Sequence, residues 1–186
     1  MKKIKSFLIK TVISFFGSGF SKIAPGTCGS LATIPLIIVL SILYTKYNIN
    51  FAIAFPIFTI CLFFVGWYCS YLYMKETNNN DDPQEIVIDE VVGQLISFIL
   101  TFVVLFFIDI ENMQTDFMAS KMFVTIAYIV MPFVLFRIYD IKKPLLVGYF
   151  DKNYKNAFGT MIDDVVAGIY AGLTDALIIF ILSFII

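Results

Sequence analysis

The chain has 186 residues, of which 60% are hydrophobic and 15% are charged, and its formal net charge is −1. Soluble domains are typically about 45–50% apolar and about 25% charged, so a chain of this length needs lipid to solvate much of its apolar surface. The composition therefore argues against a soluble enzyme, a nucleic-acid-binding protein and a disordered tail. The sequence contains no His, which excludes Ser-His-Asp triads and zinc sites built from His.

The amino-terminal segment, Met1–Lys10, combines several lysines with the apolar run Phe7, Leu8 and Ile9. No cleavage region followed by a soluble domain comes after it, so it does not fit a signal peptide. The pattern favours an amphipathic helix that lies at the membrane interface.

A segment rich in Gly and Ser, residues 17–30, precedes the first long apolar stretch. Glycines let backbone N–H groups approach an anion, and the amino terminus of a following helix favours negative charge. Gly26, Thr27 and Ser30 are therefore candidates for binding a phosphate. A simple turn, or close packing of a neighbouring helix, would explain the same residues. The segment is not a Walker A loop, because no Gly-Lys-Ser/Thr follows.

Five stretches are nearly free of charge: Leu31–Thr45, Phe51–Met74, Val91–Ile108, Met122–Phe136 and Val165–Ile186. A spanning helix needs about 20 apolar residues, so the second and fifth stretches qualify outright. The first and fourth are short, but flanking uncharged residues can extend them. We expect an all-α, polytopic membrane bundle of about five spans plus an amino-terminal interfacial helix.

The basic residues indicate the orientation of this bundle. With the amino terminus in the cytoplasm and five alternating spans, eleven of the 13 Lys and Arg residues lie inside and only Lys46 and Lys121 lie outside. This is a strong positive-inside bias. Most of the acidic residues also fall on the cytoplasmic side, so polar chemistry is expected there.

Two segments resemble each other, Ile88–Gly93 and Ile162–Gly168. Each places two adjacent carboxylates at the cytoplasmic start of a span, Asp89-Glu90 in one and Asp163-Asp164 in the other. Carboxylates at membrane depth are costly and usually functional, and Mg²⁺ prefers oxygen ligands. The two pairs therefore favour a divalent metal site, although acids at a helix start also complement the helix dipole.

Asp82, Pro83 and Glu85 have the spacing of a helix start, with Asp82 as the N-cap. If a helix began at Pro83, two turns would separate Asp82 from Asp89 by about 10 Å. That distance is too long for one shared metal ion unless the helix begins later. The local sequence alone favours a capping role for Asp82.

Arg137, Asp140 and Lys143 recur every three residues and would share one side of a helix until Pro144 ends it. The Arg and Lys side chains suit a clamp on phosphate oxygens. The alternative is a pair of basic residues that extend to the membrane interface, with Arg137 paired to Asp140.

These segments occur in a fixed order along the chain: Phe16–Phe20, Ala24–Ala32, Ile86–Gly93, Phe136–Pro144, Phe150-Asp151 and Gly159–Gly168. Together they resemble the phosphatidylglycerophosphatase A family of integral membrane lipid phosphatases. The resemblance extends over nearly the whole chain, and several long motifs in order are far more specific than any one of them.

The resemblance implies one integral membrane phosphatase domain over residues 1–186, in the bacterial cytoplasmic membrane with its active site facing the cytoplasm. It implies Mg²⁺-dependent hydrolysis of phosphatidylglycerophosphate to phosphatidylglycerol and phosphate. It also implies that Asp82 is functional, in contrast to the capping role. We assign candidate roles accordingly: catalytic acids Asp82, Asp89, Glu90, Asp163 and Asp164, of which the last four bind the metal, and phosphate-binding residues Arg137, Lys143, Gly26, Thr27 and Ser30.

Two other classes of membrane protein remain open. A small ion-coupled transporter would account for the repeated acidic segments and for Asp175 within the last span, but its acids should lie at mid-membrane rather than at one interface. A CDP-alcohol-type headgroup transferase also uses Mg²⁺ and membrane Asp residues, but it needs an Asp-Gly dipeptide that the sequence lacks.

Overall fold

The computed structural model describes residues 2–79, 83–107 and 126–185. Within these ranges the chain forms α-helices and no β-strand, as predicted. The helices are α1 (Lys2–Ile13), α2 (Pro25–Lys46), α3 (Phe51–Thr77), α4 (Ile88–Phe107), α5 (Met131–Lys142), α6 (Leu146–Asn153) and α7 (Ala157–Ile185). A 3-10 turn, Ser18–Phe20, follows α1, and a π-helical turn, Ile126–Val130, leads into α5.

Three helices in the described ranges are long and apolar enough to cross a membrane: α2 with 22 residues, α3 with 27, and the first 26 residues of α7. Their mean hydropathies are 2.0, 2.0 and 2.2. Two further predicted stretches, Val91–Ile108 and Met122–Phe136, extend into residues 108–125, which lie outside the described part of the chain. A total of about five spans therefore stays a prediction.

The first apolar helix, α2, begins at Pro25, so flanking uncharged residues extend the short stretch Leu31–Thr45 as expected. Pro is favourable at the first helical position because its missing N–H would have no partner inside the helix. The N–H of Cys28 bonds to the carbonyl of Ala24 at 3.1 Å and closes the first turn. Much of the Gly- and Ser-rich segment is therefore helical rather than a loop.

The acidic helix α4 begins later than predicted. Residues 83–87 form a turn and irregular chain, so the predicted helix start at Pro83 is wrong. The reason is the N–H of Val87, which donates to the carbonyl of Ile13 at the end of α1 at 2.9 Å. Asp82, whose capping role depended on that helix start, lies outside the described residues.

The helices α4 and α7 form the centre of the bundle. Val92 and Leu95 of α4 and Met161 of α7 are fully buried in one apolar core. Phe136 of α5 is also fully buried and packs with Ala167 of α7. This packing brings the start of α4, the end of α5 and the start of α7 to one end of the bundle.

Buried polar contacts join the same three helices further along their length. Thr101 Oγ1 donates to Asp175 Oδ2 at 2.8 Å, and both residues are fully buried. Ser97 Oγ donates to the carbonyl of Pro132 at 3.2 Å. Asp175 is thus a hydrogen-bonded residue between two packed helices.

Candidate active site

The two acidic segments approach each other because glycines allow their helices to pack closely. A Cβ added at Gly168 of α7 would meet the carbonyl oxygen of Gly93 on α4. A Cβ added at Gly93 would lie 2.5 Å from the carbonyl oxygen of Asp164. Small residues at such a contact let helix backbones approach within a membrane. The repeated small residue in the two segments therefore sets the distance between the acid pairs.

Three carboxylates from these helices converge. Asp89, Glu90 and Asp164 each offer one carboxylate oxygen, and the three oxygens lie within 4.8 Å of one another. Asp89 and Asp164 are only 5% and 4% exposed. Because like charges this close repel each other and burial removes their hydration, such a cluster requires protons or a cation to offset its charge.

The fourth predicted acid, Asp163, is 4% exposed and faces a lysine. Lys143 Nζ donates to Asp163 Oδ2 at 3.0 Å and to Asp151 Oδ1 at 2.6 Å. Burial of the Lys143 ammonium lowers its pKa, but the hydrogen bonds and charges of the two acids raise the pKa by more. The pKa of Lys143 therefore lies above its ordinary value. Lys143 is therefore a firmly held positive charge beside the carboxylate cluster.

Arg137 supplies a second positive charge from α5. Its Nη1 lies 2.6 Å from Asp140 Oδ2, one turn further along the same helix, and 4.0 Å from Glu90 Oε1. Nη1 also donates to Ser30 Oγ at 3.3 Å. The predicted pairing with Asp140 and a position beside the acidic cluster are both present.

These side chains line a cavity of about 430 Å³ at this end of the bundle. The cavity contains seven of the predicted site residues: Gly26, Asp89, Glu90, Arg137, Lys143, Asp163 and Asp164. Asp82 cannot be placed, because it lies outside the described residues. The structure thus brings together, from α2, α4, α5 and α7, groups that the sequence holds more than 130 positions apart.

Two predicted phosphate-binding residues, Thr27 and Ser30, do not line this cavity. Ser30 is fully buried, and its Oγ donates to the carbonyl of Gly26 at 3.0 Å while it accepts the hydrogen bond from Arg137. Thr27 is half-buried in the first turn of α2. Ser30 therefore contacts the Arg137 guanidinium, which faces the cavity, and does not itself line the cavity.

Asp151, which binds Lys143 from the short helix α6, has no role predicted from the sequence. Its contact with Lys143 depends on α6, and a search for apolar stretches of spanning length does not detect a helix this short. A signal was present in the spacing of Val147, Gly148 and Asp151, which share one face of a helix that begins just after Pro144.

The donor set of the cluster fits a hard divalent cation. All candidate ligand atoms are carboxylate oxygens, which Mg²⁺ and Ca²⁺ prefer over softer donors. The oxygens come from two different helices, so a cation there would link α4 to α7. Asp89, Glu90 and Asp164 are the residues best placed to hold it, with Asp163 adjacent.

Comparison with known proteins gives a consistent result. The family described as Phosphatidylglycerophosphatase A matches residues 11–179. The chain belongs to this family. A phosphatidylglycerophosphatase A of Haemophilus influenzae is 41% identical over 159 residues, which cover 84% of this chain and 79% of that protein. The phosphatidylglycerophosphatase A of Escherichia coli is 32% identical over 155 residues, covering 83% and 73%.

A third relative of this chain carries a different name. It is a Bacteroides thetaiotaomicron protein with the provisional name phosphatidylinositol-3-phosphatase, 34% identical over 172 residues that cover 91% of this chain and 92% of its own. No solved structure shows a significant match. The matched region includes every described residue of the cavity.

Proposed function

We propose that this protein hydrolyses the terminal phosphomonoester of phosphatidylglycerophosphate to give phosphatidylglycerol and phosphate. Membership of the phosphatidylglycerophosphatase A family supports the substrate. The observation that carries the proposal is the cavity in which three converging carboxylates lie beside Arg137 and Lys143. A phosphate monoester needs positive groups to bind its oxygens and an activated water to attack phosphorus.

The metal of this reaction is proposed to be Mg²⁺, held by Asp89, Glu90, Asp163 and Asp164. When bound, the ion would neutralise phosphate oxygens and lower the pKa of the attacking water. The donor set, which consists of carboxylate oxygens alone, supports this assignment.

The chain's own residues divide the remaining work. Arg137 and Lys143 donate to the phosphate oxygens and stabilise the charge that develops as the bond to the glycerol oxygen breaks. A carboxylate, Glu90 or Asp82, accepts the proton of the attacking water, and the departing glycerol oxygen takes up a proton to become the hydroxyl group of phosphatidylglycerol. Helix α2 supplies Gly26, where the backbone comes close to Glu90 and Arg137.

The active site is proposed to face the cytoplasm from the bacterial cytoplasmic membrane. The positive-inside bias supports this orientation, since the cavity lies at the same end of the bundle as Lys22, Arg137 and Lys143. The acyl chains of the substrate would remain in the bilayer while the headgroup enters the cavity.

The test is phosphate release by purified Asp89→Asn and Asp163→Asn proteins in the presence of Mg²⁺. We expect each to lose at least about a hundredfold in rate, because loss of a metal ligand costs more than the 10- to 100-fold typical of residues that support one. Glu76→Gln, which changes an exposed acid at the end of α3, is the matched control and should retain activity. Near-wild-type rates in both Asp variants would remove the metal assignment.

The substrate is tested with the same protein. Phosphatidylglycerophosphate and phosphatidylinositol 3-phosphate, presented in identical detergent micelles, should differ in kcat/KM in favour of the former. The reverse preference would contradict the proposed substrate while leaving a lipid phosphatase. Absence of phosphate release from either lipid would favour the transporter alternative.

A further inference from the structure

Lys143 is held between carboxylates from two different helices. Its Nζ lies 2.6 Å from Asp151 Oδ1 on α6 and 3.0 Å from Asp163 Oδ2 on α7. Lys143 and Asp163 line the cavity, whereas Asp151 does not. Asp151 therefore contacts the Lys143 ammonium but does not line the space that the substrate phosphate would enter.

The short helix α6 is arranged to bring Asp151 to this position. Val147 and Gly148 are buried, and Asp151 follows them by four and three residues, so all three lie on the inner face of the helix. A Cβ added at Gly148 would meet the carbonyl oxygen of Lys143, so α6 packs directly against the lysine backbone. The opposite face carries Tyr149, which is 52% exposed.

The geometry limits how the ammonium can be used. A lysine ammonium has three N–H donors, and here two of them are directed to Asp151 and Asp163. One donor remains for a ligand in the cavity. A flexible lysine side chain would otherwise lose rotamer entropy on binding phosphate, and a fixed ammonium has already incurred that cost.

We propose that Asp151 is a positioning residue, which fixes the Lys143 ammonium so that its remaining N–H group donates to the substrate phosphate. The role rests on the proposed function, because it takes the phosphomonoester to be the ligand of the cavity. Asp151 also lies 3.9 Å from Lys155 Nζ, whose side chain is 54% exposed. That longer, solvated pair is a matched comparison, since it shares Asp151 but does not reach the cavity.

A double-mutant cycle on Asp151 and Lys143 tests the role. Asp151→Asn keeps the shape of the side chain and removes its charge, and we expect kcat/KM to fall about tenfold because a charge-assisted hydrogen bond is lost. In a Lys143→Gln background the same change should cost less than about twofold, since residues that act as a unit are not additive. Lys155→Gln should leave kcat/KM unchanged.

Three results would overturn the proposal. The first is an equal fold-loss of kcat/KM in both backgrounds, which indicates a structural role for Asp151. The second is an unchanged kcat/KM in Asp151→Asn. The third is a higher kcat/KM in Asp151→Asn, which would mean that the carboxylate competes with phosphate for Lys143. Melting temperatures of the four proteins of the cycle in detergent show whether any loss comes from unfolding.

The same cycle measured with inorganic phosphate binding separates this inference from the proposed function. We expect Asp151→Asn to raise the Kd for phosphate in the wild-type background and to leave it unchanged in Lys143→Gln. If the wild-type protein released no phosphate from the lipid but showed this coupling, the proposed substrate would fail and the positioning role would stand. Equal changes in Kd in both backgrounds would overturn the role even in an active phosphatase.

Discussion

Gly26 lies against two charged side chains of the cavity. A Cβ at this position would meet Glu90 Oε1 and would lie 3.4 Å from Arg137 Nη1. The Glu90 side chain therefore has to move if the glycine is replaced, whereas Arg137 would be in ordinary van der Waals contact with the new methyl group. The observed position of the Glu90 carboxylate therefore requires that residue 26 have no side chain.

We predict that Gly26→Ala lowers phosphate release by about tenfold or more, because a misplacement of about 1 Å in a site can cost up to a hundredfold in rate. The measurement is kcat/KM on micellar substrate. Cys28→Ala, two residues further along α2 and half-buried, is the neighbouring control and should remain close to wild type. A fully active Gly26→Ala protein would show that Glu90 does not need its observed position.

Contacts within one helix are easier to predict from the sequence than contacts between helices. The pair Arg137–Asp140 follows from a spacing of three residues, and the structure confirms it. The contact of Arg137 with Ser30 joins residues 107 positions apart, and only the packing of α2 against α5 creates it. The sequence predicts that Ser30 binds a phosphate, because this packing cannot be read from local spacing. In the structure Ser30 is instead buried behind the arginine.

Among the helices, the contact of α4 with α7 determines how far apart the two acid pairs lie. Gly93 and Gly168 meet there backbone to backbone. Any side chain at Gly168 has to displace α4 together with Asp89 and Glu90. The packing of the bundle and the geometry of the carboxylate cluster are therefore linked through one residue.

We predict that Gly168→Val destabilises the protein by about 1–3 kcal/mol, the usual cost of overpacking, and abolishes most of the activity. Thermal unfolding in detergent and phosphate release are the two measurements. Ile169→Ala changes the neighbouring residue, which is 36% exposed, and should affect both much less. Unchanged activity in Gly168→Val would mean that the acids do not depend on this contact.

The repeated segments allowed the sequence to predict which helices carry the acids, because each segment places two adjacent carboxylates before an apolar run. In α7 these acids lie beyond the first turn, since the helix begins at Ala157. The start of α4 was not predictable in the same way. Its first turn is delayed because the Val87 N–H bonds to α1, a partner more than 70 residues away. The capping pattern around Pro83 is local, so it gives no information about a distant carbonyl that accepts the Val87 N–H.

Across the whole molecule, the proposed orientation places the cavity and α6 in the cytoplasm and the end of α2 outside. A helix of 22 residues is about 33 Å long, which matches the apolar thickness of a bilayer. Gly26 near its start lines the cavity, whereas Tyr47 directly follows its end and is 63% exposed.

We predict opposite labelling of two single cysteines introduced after Cys28, Cys61 and Cys69 are replaced by Ala. A membrane-impermeant maleimide should label Asn153→Cys on α6 in inverted membrane vesicles only, and Tyr47→Cys in intact spheroplasts only. The physical basis is the positive-inside bias. Labelling of Asn153→Cys from outside would reverse the orientation, and the permeabilised sample, where both react, controls for accessibility.

The distribution of ionisable residues also favours a phosphatase over a transporter. A transporter should carry its ionisable residues at mid-membrane around a cavity. Asp175 is buried between α4 and α7 with Thr101 as its donor, and the cavity with most of the acids lies at one end of the described bundle. The sequence could locate Asp175 in a span, but its hydrogen bond depends on the register between two helices.

The bond between the Val87 amide and the Ile13 carbonyl ties the amino-terminal helix to the residue that precedes the acidic helix α4. Both residues are fully shielded from solvent. Trimming the chain through Ile13 would strand a donor inside the protein, a penalty of about 1–3 kcal/mol, directly upstream of the first acidic turn. Truncations of this terminus are therefore expected to disturb the start of α4 as well as α1 itself.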